Sequence, residues 1–228
     1  MVPSVSKCAD SCCVRKCISC IRWLPVVFIL AIVFWAYYAY FVQLCFFTVE
    51  SVIERAVYIT VFHILFFIFL WTYYQTIFTP ISKPPKSFYL PNEVKRELEA
   101  ADSDAECRNI LDRFVRNSRL PIANRNFDGG IRYCLKCKCV KPDRCHHCSI
   151  CGQCVLKFDH HCPWVNTCVN FNNYKYFIQF LGSGLLLSLW TFFTDMKYFI
   201  GFWKVIIVGL TFGFTCYLSK PRNRKALT

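Results

Sequence analysis

CLKCKCVKPDRCHHCSICGQCVLKFDHHCPWVNTC, residues 134–168, holds nine of the chain's seventeen cysteines and four of its five histidines. Two Cys-x-x-Cys pairs stand in it, Cys134/Cys137 and Cys148/Cys151, and Cys154 follows at the same spacing. That spacing lets two thiolates from one tight turn reach one tetrahedral zinc. Eight good ligands can be drawn from the stretch, enough for two closed sites. An Asp, a His and a Cys are then left over from the run Asp159-His160-His161-Cys162, and these are the parts of an activated thiolate. Phe and Leu are sparse here, so short hairpins are expected, with metal supplying about 10 kcal/mol or more of folding free energy per structural site.

Outward from this stretch, the 228-residue chain is 55% hydrophobic and 18% aromatic, with the apolar residues in long blocks. That excludes an ordinary soluble domain and indicates membrane helices. The net charge is +13. In a membrane protein such an excess belongs to cytoplasmic loops facing anionic lipid, ahead of nucleic-acid binding. Residues 1–22 form a basic tail with Cys8, Cys12, Cys13, Cys17 and Cys20 beside the first apolar run. Juxtamembrane cysteines are candidates for S-acylation, and unmodified thiols on a frayed helix are the bland alternative. No cleaved signal peptide is expected, because the apolar run is too long and lacks a small-residue cleavage site.

Residues 23–78 hold two expected transmembrane helices, near Trp23–Leu44 and Ala56–Phe78. His63 lies inside the second, where a hydrogen-bonded packing role outweighs a functional one. Residues 79–175 form one polar block carrying sixteen of the twenty-seven Lys and Arg residues. The positive-inside rule places that block in the cytosol together with the N-terminal tail, and two helices between them make the placements agree. Within it, a helical stretch from Pro91-Asn92 to about Leu120 presents Ile110, Leu111, Phe114 and Val115 on one face. That face is expected to pack on the zinc domain or the membrane surface. Residues 176–218 are expected to hold a third and a fourth helix, with a tight turn at Asp195-Met196-Lys197 between them. Residues 219–228 are a basic cytosolic tail.

The ordered pattern Cys134-x2-Cys137-x9-His147-Cys148-x2-Cys151-x2-Cys154-x4-Asp159-His160-His161-Cys162-x5-Cys168 resembles the Asp-His-His-Cys (DHHC) family of protein S-acyltransferases, or palmitoyltransferases. Lys141-Pro142-Asp143-Arg144 and Pro163-Trp164-Val165-Asn166 look like that family too, and the layout of membrane segments extends the resemblance from about Arg22 to the C-terminus. A dozen fixed positions match in order, where a lone Cys-x-x-Cys would be a weak signal.

The resemblance implies an α-helical integral membrane protein. Four transmembrane helices would carry a cytosolic cysteine-rich double-zinc domain, at about residues 132–175, between helices two and three. By the family pattern, Cys134, Cys137, His147 and Cys154 hold one structural zinc, and Cys148, Cys151, His161 and Cys168 hold the other. Spacing alone leaves Cys145 or His146 open as substitutes. Cys162 would be the nucleophile, His160 its general base, and Asp159 the group that orients His160. Adjacent residues of an extended segment point opposite ways, which suits His160 facing the reaction and His161 facing the metal. The alternative, Cys162 as another zinc ligand, meets two sets that are already complete.

The implied reaction is protein S-palmitoylation in two steps. Cys162 takes a long-chain acyl group from palmitoyl-CoA, and a cytosolic cysteine of a membrane-associated protein substrate then takes it from Cys162. Trp164 would lie at the mouth of an acyl cavity, with Ala36 and Leu187 near its closed end. Partners are acyl-CoA, protein substrates and the lipid bilayer, with no nucleic acid; homo-oligomerisation stays open. Golgi, ER or plasma membrane follows from the resemblance, with both termini and the zinc domain cytosolic.

Several positions depart from the family. Thr79-Pro80-Ile81 stands where many members have Asp-Pro-Gly, Thr167 where Asn is usual, and Asn170 where Gly is usual, a change that can strain a backbone turn although Asn tolerates positive φ best among non-Gly residues. No Thr-Thr-x-Glu motif follows the fourth apolar run, so the chain reads as a C-terminally truncated form. The competing reading is therefore a catalytically inactive, zinc-bearing membrane adaptor. A membrane-anchored zinc-finger ubiquitin ligase or nucleic-acid binder ranks last, because RING-type ligand pairs are spaced more widely and no basic recognition helix follows.

Overall fold

The computed structural model describes residues 12–218, with side chains over 17–209. Cys8, the side chains of Cys12 and Cys13, and the basic tail 219–228 lie outside the described residues.

The chain begins with α1 (Cys12–Ile21), turns at Arg22 and Trp23, and continues as α2 (Leu24–Tyr37). Pro25 sits in the first turn of α2, where its missing N–H has no helical partner to lose. The same rod goes on as a π-helix over Tyr38–Thr48, closed where the Val49 N–H reaches the Leu44 carbonyl at 3.0 Å. After a short loop comes α3 (Val52–Phe78). Among the described residues, three helical stretches are long and apolar enough to cross a membrane: Cys17–Thr48, Val52–Phe78 and Tyr174–Gly209. Large apolar side chains stand exposed along all three, among them Phe28, Trp35, Phe67, Trp71, Leu185 and Phe193. Lipid is the solvent that suits such a surface.

The third stretch corrects an expectation. α6 runs unbroken from Tyr174 to Leu218, 45 residues, so the turn at Asp195-Met196-Lys197 is helix. The reason is local. Those three residues include neither Gly nor Pro, and Thr194 Oγ1 bonds back to the Trp190 carbonyl at 2.8 Å within the helix. The expected single helix from residue 92 to about 120 is also two, α4 (Asn92–Ala100) and α5 (Asp104–Asn117). Ser103 starts the second: its Oγ accepts the Glu106 N–H at 3.2 Å, while Glu106 accepts the Asp102 N–H at 3.1 Å. The Ser103 cap, with Glu106 reaching back one residue beyond it, is a variant of the capping box, so the chain breaks before it.

The described chain divides into two compact units, one from residues up to Val33 and Ile68–Gly182, the other from Phe34–Phe67 and residues from Ser183 on. In the first, α5 lays Leu111, Phe114 and Val115 against Phe88, Leu90, Ile131 and Val140. The apolar face of α5 thus packs on the hairpin region. Three antiparallel hairpins follow: β1 (Tyr133–Cys134) with β2 (Cys139–Val140), β3 (His146–Cys148) with β4 (Gln153–Val155), and β5 (His160–Cys162) with β6 (Thr167–Val169).

In the second unit, Tyr40 bonds Thr194 at 3.0 Å and Lys197 reaches Glu54 at 3.0 Å. His63 Nδ1 donates to the Ile59 carbonyl at 2.8 Å, so Nε2 is left to accept from the Tyr37 hydroxyl at 3.1 Å. Both nitrogens of this neutral imidazole are used, inside rings of Phe41, Phe62 and Phe67. His63 has the packing role expected of it.

Candidate active site and metal centres

The hairpins bring the eight ligand candidates together as two groups: Cys134, Cys137, His147 and Cys154, and Cys148, Cys151, His161 and Cys168. Within each group the ligand atoms all lie within 4.8 Å of one another. From His147 Nδ1, the sulfurs of Cys134, Cys137 and Cys154 stand at 3.6, 3.2 and 4.0 Å. From His161 Nδ1, those of Cys148, Cys151 and Cys168 stand at 3.8, 3.4 and 3.6 Å. A tetrahedral ion with bonds of about 2.1 Å to nitrogen and 2.3 Å to sulfur sets its ligands roughly 3.5–3.8 Å apart. Each group therefore fits one metal ion. Cys151 and Cys168 are 3.4 Å apart at sulfur, well beyond the roughly 2.05 Å of a disulfide.

The electrostatics agree. Burial holds the imidazoles of His147 and His161 below their usual range, which keeps them neutral as a ligand must be. Burial, then neighbouring thiols, pushes the Cys154 and Cys168 thiols up. Three thiolates in such a space need a cation among them. Cys139 and Cys145 are fully buried in the wall of the first group but are not members of it. Burial pushes the Cys139 thiol up to about 11, so both sulfurs serve as packing. His146 also stays outside, its ring against Phe158.

The two groups are one motif used twice. Each ligand of the second lies 14 residues beyond its counterpart: 134 to 148, 137 to 151, 147 to 161, 154 to 168. In both, a Cys-x-x-Cys turn is completed by a His and a Cys paired across the next hairpin, His147 with Cys154 and His161 with Cys168. The backbone repeats too. Lys138, Gly152 and Asn166, again 14 apart, all have positive φ, at 51°, 67° and 47°. One further step of 14 from Cys148 reaches Cys162. There the turn reads Cys162-Pro163-Trp164-Val165, and the positions for a following His and Cys hold Lys175 and Gly182. Cys162 thus occupies a ligand position whose partners are gone. The sequence carried this signal, and reading the ligand pairs without their offset missed it.

Around Cys162 the strand alternation decides the directions. β5 pairs His161 with Cys168 and Cys162 with Thr167. His161 and Cys168 face the metal group, so His160 and Cys162 share the opposite face. His160 Nδ1 meets Asp159 Oδ2 at 3.0 Å, and the His160 ring stands edge-on to Phe177. Cys162 is 7% exposed, in an apolar cluster with Val26, Tyr73, Val165 and Val169.

Three polar residues fix this loop, and no spacing rule announced them. The Tyr73 hydroxyl donates to the Trp164 carbonyl at 2.8 Å. Asn170, where a strained turn was one expectation, does not have a positive φ. It is 1% exposed and wired instead: Oδ1 accepts the Ser82 N–H, and Nδ2 donates to the Cys168 carbonyl at 2.7 Å. A glycine could make neither bond. Asn173 donates to the carbonyls of Thr76 and Cys168. Beside Asp159, a cavity of about 420 Å³ is lined by Arg144, Lys157, Asn170, Phe171, Tyr174 and Lys175. Of the remaining candidates, Trp164 is half-exposed, while Ala36 (exposed) and Leu187 (half-buried) belong to the second unit.

Residues 128–219 match the model of the DHHC palmitoyltransferase family. The chain is 48% identical over 203 residues to the Danio rerio protein named Palmitoyltransferase ZDHHC2, covering 89% of this chain and 54% of that one. It is 47% identical over 189 residues to Palmitoyltransferase ZDHHC2 of Homo sapiens, with coverage of 83% and 51%. Against Palmitoyltransferase ZDHHC15 of Homo sapiens it is 42% identical over 190 residues, with coverage of 83% and 56%. The chain spans about half the length of the curated relatives it matches.

Proposed function

For a chain that belongs to the DHHC palmitoyltransferase family, we propose protein S-palmitoyl transfer through an acyl thioester on Cys162. The single observation behind this reading is the division of β5: His161 turns to the metal group, while Asp159-bound His160 and the unligated Cys162 share the other face. An ordinary thiol is only a few per cent thiolate at neutral pH, so a base within reach matters. In this reading His160 takes the Cys162 proton, and Asp159 holds the imidazole and stabilises its charged form. The thiolate attacks the carbonyl of palmitoyl-CoA and CoA leaves as a thiolate. A cysteine of a membrane-associated protein then attacks acyl-Cys162. Both exchanges convert thioester to thioester.

Cys134, Cys137, His147 and Cys154 would hold one zinc, and Cys148, Cys151, His161 and Cys168 the other. When bound, these closed sites supply rigidity and no reaction chemistry, because no ligand position is left open. Arg144, Lys157 and Lys175 offer their charges to CoA phosphates beside Asp159. Trp164, Ala36 and Leu187 are assigned to the acyl chain. Enlarging Ala36 or Leu187 would shorten the preferred chain, and an unchanged preference would remove both from that role.

The polar block and the N-terminal tail belong on the cytosolic side, and the membrane is one of the Golgi, ER or plasma-membrane compartments. For the apolar half Tyr198–Leu218 to serve as a fourth span, α6, unbroken here, would have to bend back after about Thr194. Kept straight, a 45-residue helix reaches about 68 Å, more than twice a hydrocarbon core of roughly 30 Å.

A pre-steady-state assay with palmitoyl-CoA tests the reaction. The expected result is a burst of about one CoA per chain, lost in Cys162→Ala and strongly slowed in His160→Ala. Steady CoA release from Cys162→Ala at the wild-type rate would overturn the covalent route.

A further inference from the structure

The cysteines of the helix that leads into the membrane form a cluster of nucleophiles that the reaction above leaves unused. Cys17 and Cys20 lie three residues apart on α1, hence on one helical face, and both are exposed. They differ in this from Cys139 and Cys145, which are walled in. Juxtamembrane cysteines of this kind are the ones that carry acyl chains in membrane proteins.

Two contacts tie α1 to the reaction centre. Arg22, just after α1, donates from Nη1 to the Ile150 carbonyl at 2.9 Å. Ile150 lies in the Cys148–Cys151 turn, whose metal group includes His161, the neighbour of Cys162. Farther along the rod, Val26 belongs to the apolar cluster that contains Cys162, Tyr73 and Val165. Cys20 precedes Val26 by six residues, about 9 Å along a helix axis, and Cys17 precedes it by nine, about 13 Å. The thiols therefore stand on the same compact unit as Cys162, on a segment that meets the Cys162 cluster at Val26 and the Cys148–Cys151 turn at Arg22.

We propose that Cys20, and behind it Cys17, are intramolecular acceptors of the acyl group carried by Cys162, so that the chain modifies its own juxtamembrane helix. The inference rests on the acyl-Cys162 reading. The Cys20 thiol gives its proton to solvent or to His160, and its thiolate adds to the carbonyl carbon of acyl-Cys162. The bond from that carbon to the Cys162 sulfur breaks, and Cys162 leaves as a thiolate that is reprotonated or recharged from palmitoyl-CoA. One thioester replaces another, with no redox change. Proximity substitutes for the encounter that an external protein substrate requires. The acyl chain then lies beside exposed Ile21 and Trp23, at the entrance to the membrane helix.

The test uses the full chain in membranes with an alkyne-tagged palmitoyl-CoA, followed by trypsin at neutral pH and peptide-resolved detection of hydroxylamine-sensitive label. Cleavage after Lys16 and Arg22 isolates Cys17–Arg22, separate from the Cys162 peptide. The wild type is expected to carry label on both peptides, at a rate for Cys17–Arg22 that does not change with protein concentration. Cys162→Ser should lose both labels. Cys17→Ser/Cys20→Ser should keep label on Cys162 at the wild-type rate and lose it from the N-terminal peptide. Label on Cys162 with none on Cys17–Arg22 overturns the inference and leaves the enzyme reading standing. Label on Cys17–Arg22 in Cys162→Ser, or a rate that rises with concentration, also overturns it, since the donor is then CoA or a second copy. No label on either peptide of the wild type overturns the enzyme reading and the inference together.

Discussion

Tyr73 is the side chain that ties the turn after Cys162 to α3. Its hydroxyl is the donor for the Trp164 carbonyl, and the residue is 3% exposed. Tyr73→Phe removes the donor and leaves that carbonyl without it, at a cost of about 1–2 kcal/mol. If half or more of that cost falls on the acylation step, CoA release slows by roughly two- to thirtyfold while the fold and the metal content stay intact. A burst rate equal to the wild type would show that the bond does not position Cys162. The Cys-x-x-Cys pairs and the Asp159-His160-His161-Cys162 run were legible in the sequence, because metal chemistry and thiolate activation demand particular residue types at short spacings. Which His and Cys complete each group came from the family pattern, since spacing alone left Cys145 and His146 open. Tyr73, Asn170 and Asn173 were not legible. Each has a partner far away along the chain, 91 residues for Tyr73, 88 for Asn170 and 97 for Asn173, and no local pattern encodes such a bond. Asn170 was misread for a related reason: a glycine position predicts strain only if φ is positive, and here the side chain was chosen for its hydrogen bonds.

At the scale of elements, the 14-residue repeat explains why a cysteine in so cysteine-rich a region stays free. Cys162 begins a third turn of the same kind, but Val165 stands where Cys137 and Cys151 stand in the first two. Val165→Cys would create a Cys-x-x-Cys pair with Cys162. Added zinc is then expected to inhibit acylation several-fold in the variant and not in the wild type; equal zinc sensitivity would contradict the repeat. The α5 face gives a second element-scale prediction. Phe114 is buried against the strand region, and Phe114→Ala should cost about 3–5 kcal/mol. Thermal unfolding of the polar block would report it as a lowered midpoint, and an unchanged midpoint would mean that α5 does not support the hairpins. The hairpins and that apolar face were legible from composition and 3.6-residue spacing. The break before α5 was also legible, in Ser103-x-x-Glu106, and was passed over because the apolar periodicity ran on across it. The turn expected in α6 rested on two charges alone, and charges do not end a helix.

At the scale of the whole molecule, apolar helices flank a polar block that folds around two metal groups. The composition reveals that division because lipid and water select different surfaces. Buried sulfurs make up most of the interior around the first ligand group, so a bound metal would be a main support of the hairpins beside the apolar contact with α5. Chelation should therefore unfold the block and abolish acylation together, with the release of about two zinc ions per chain. Acylation surviving complete metal loss would contradict a structural role for the ions. The most direct measurement of the central claim is the intact mass of the zinc-replete chain after brief exposure to palmitoyl-CoA, beside Cys162→Ser and Cys17→Ser/Cys20→Ser. The account predicts a hydroxylamine-sensitive acyl adduct on the wild type and on Cys17→Ser/Cys20→Ser, and none on Cys162→Ser. An adduct of equal yield on Cys162→Ser, or none on a wild type that holds both zinc ions, would contradict it.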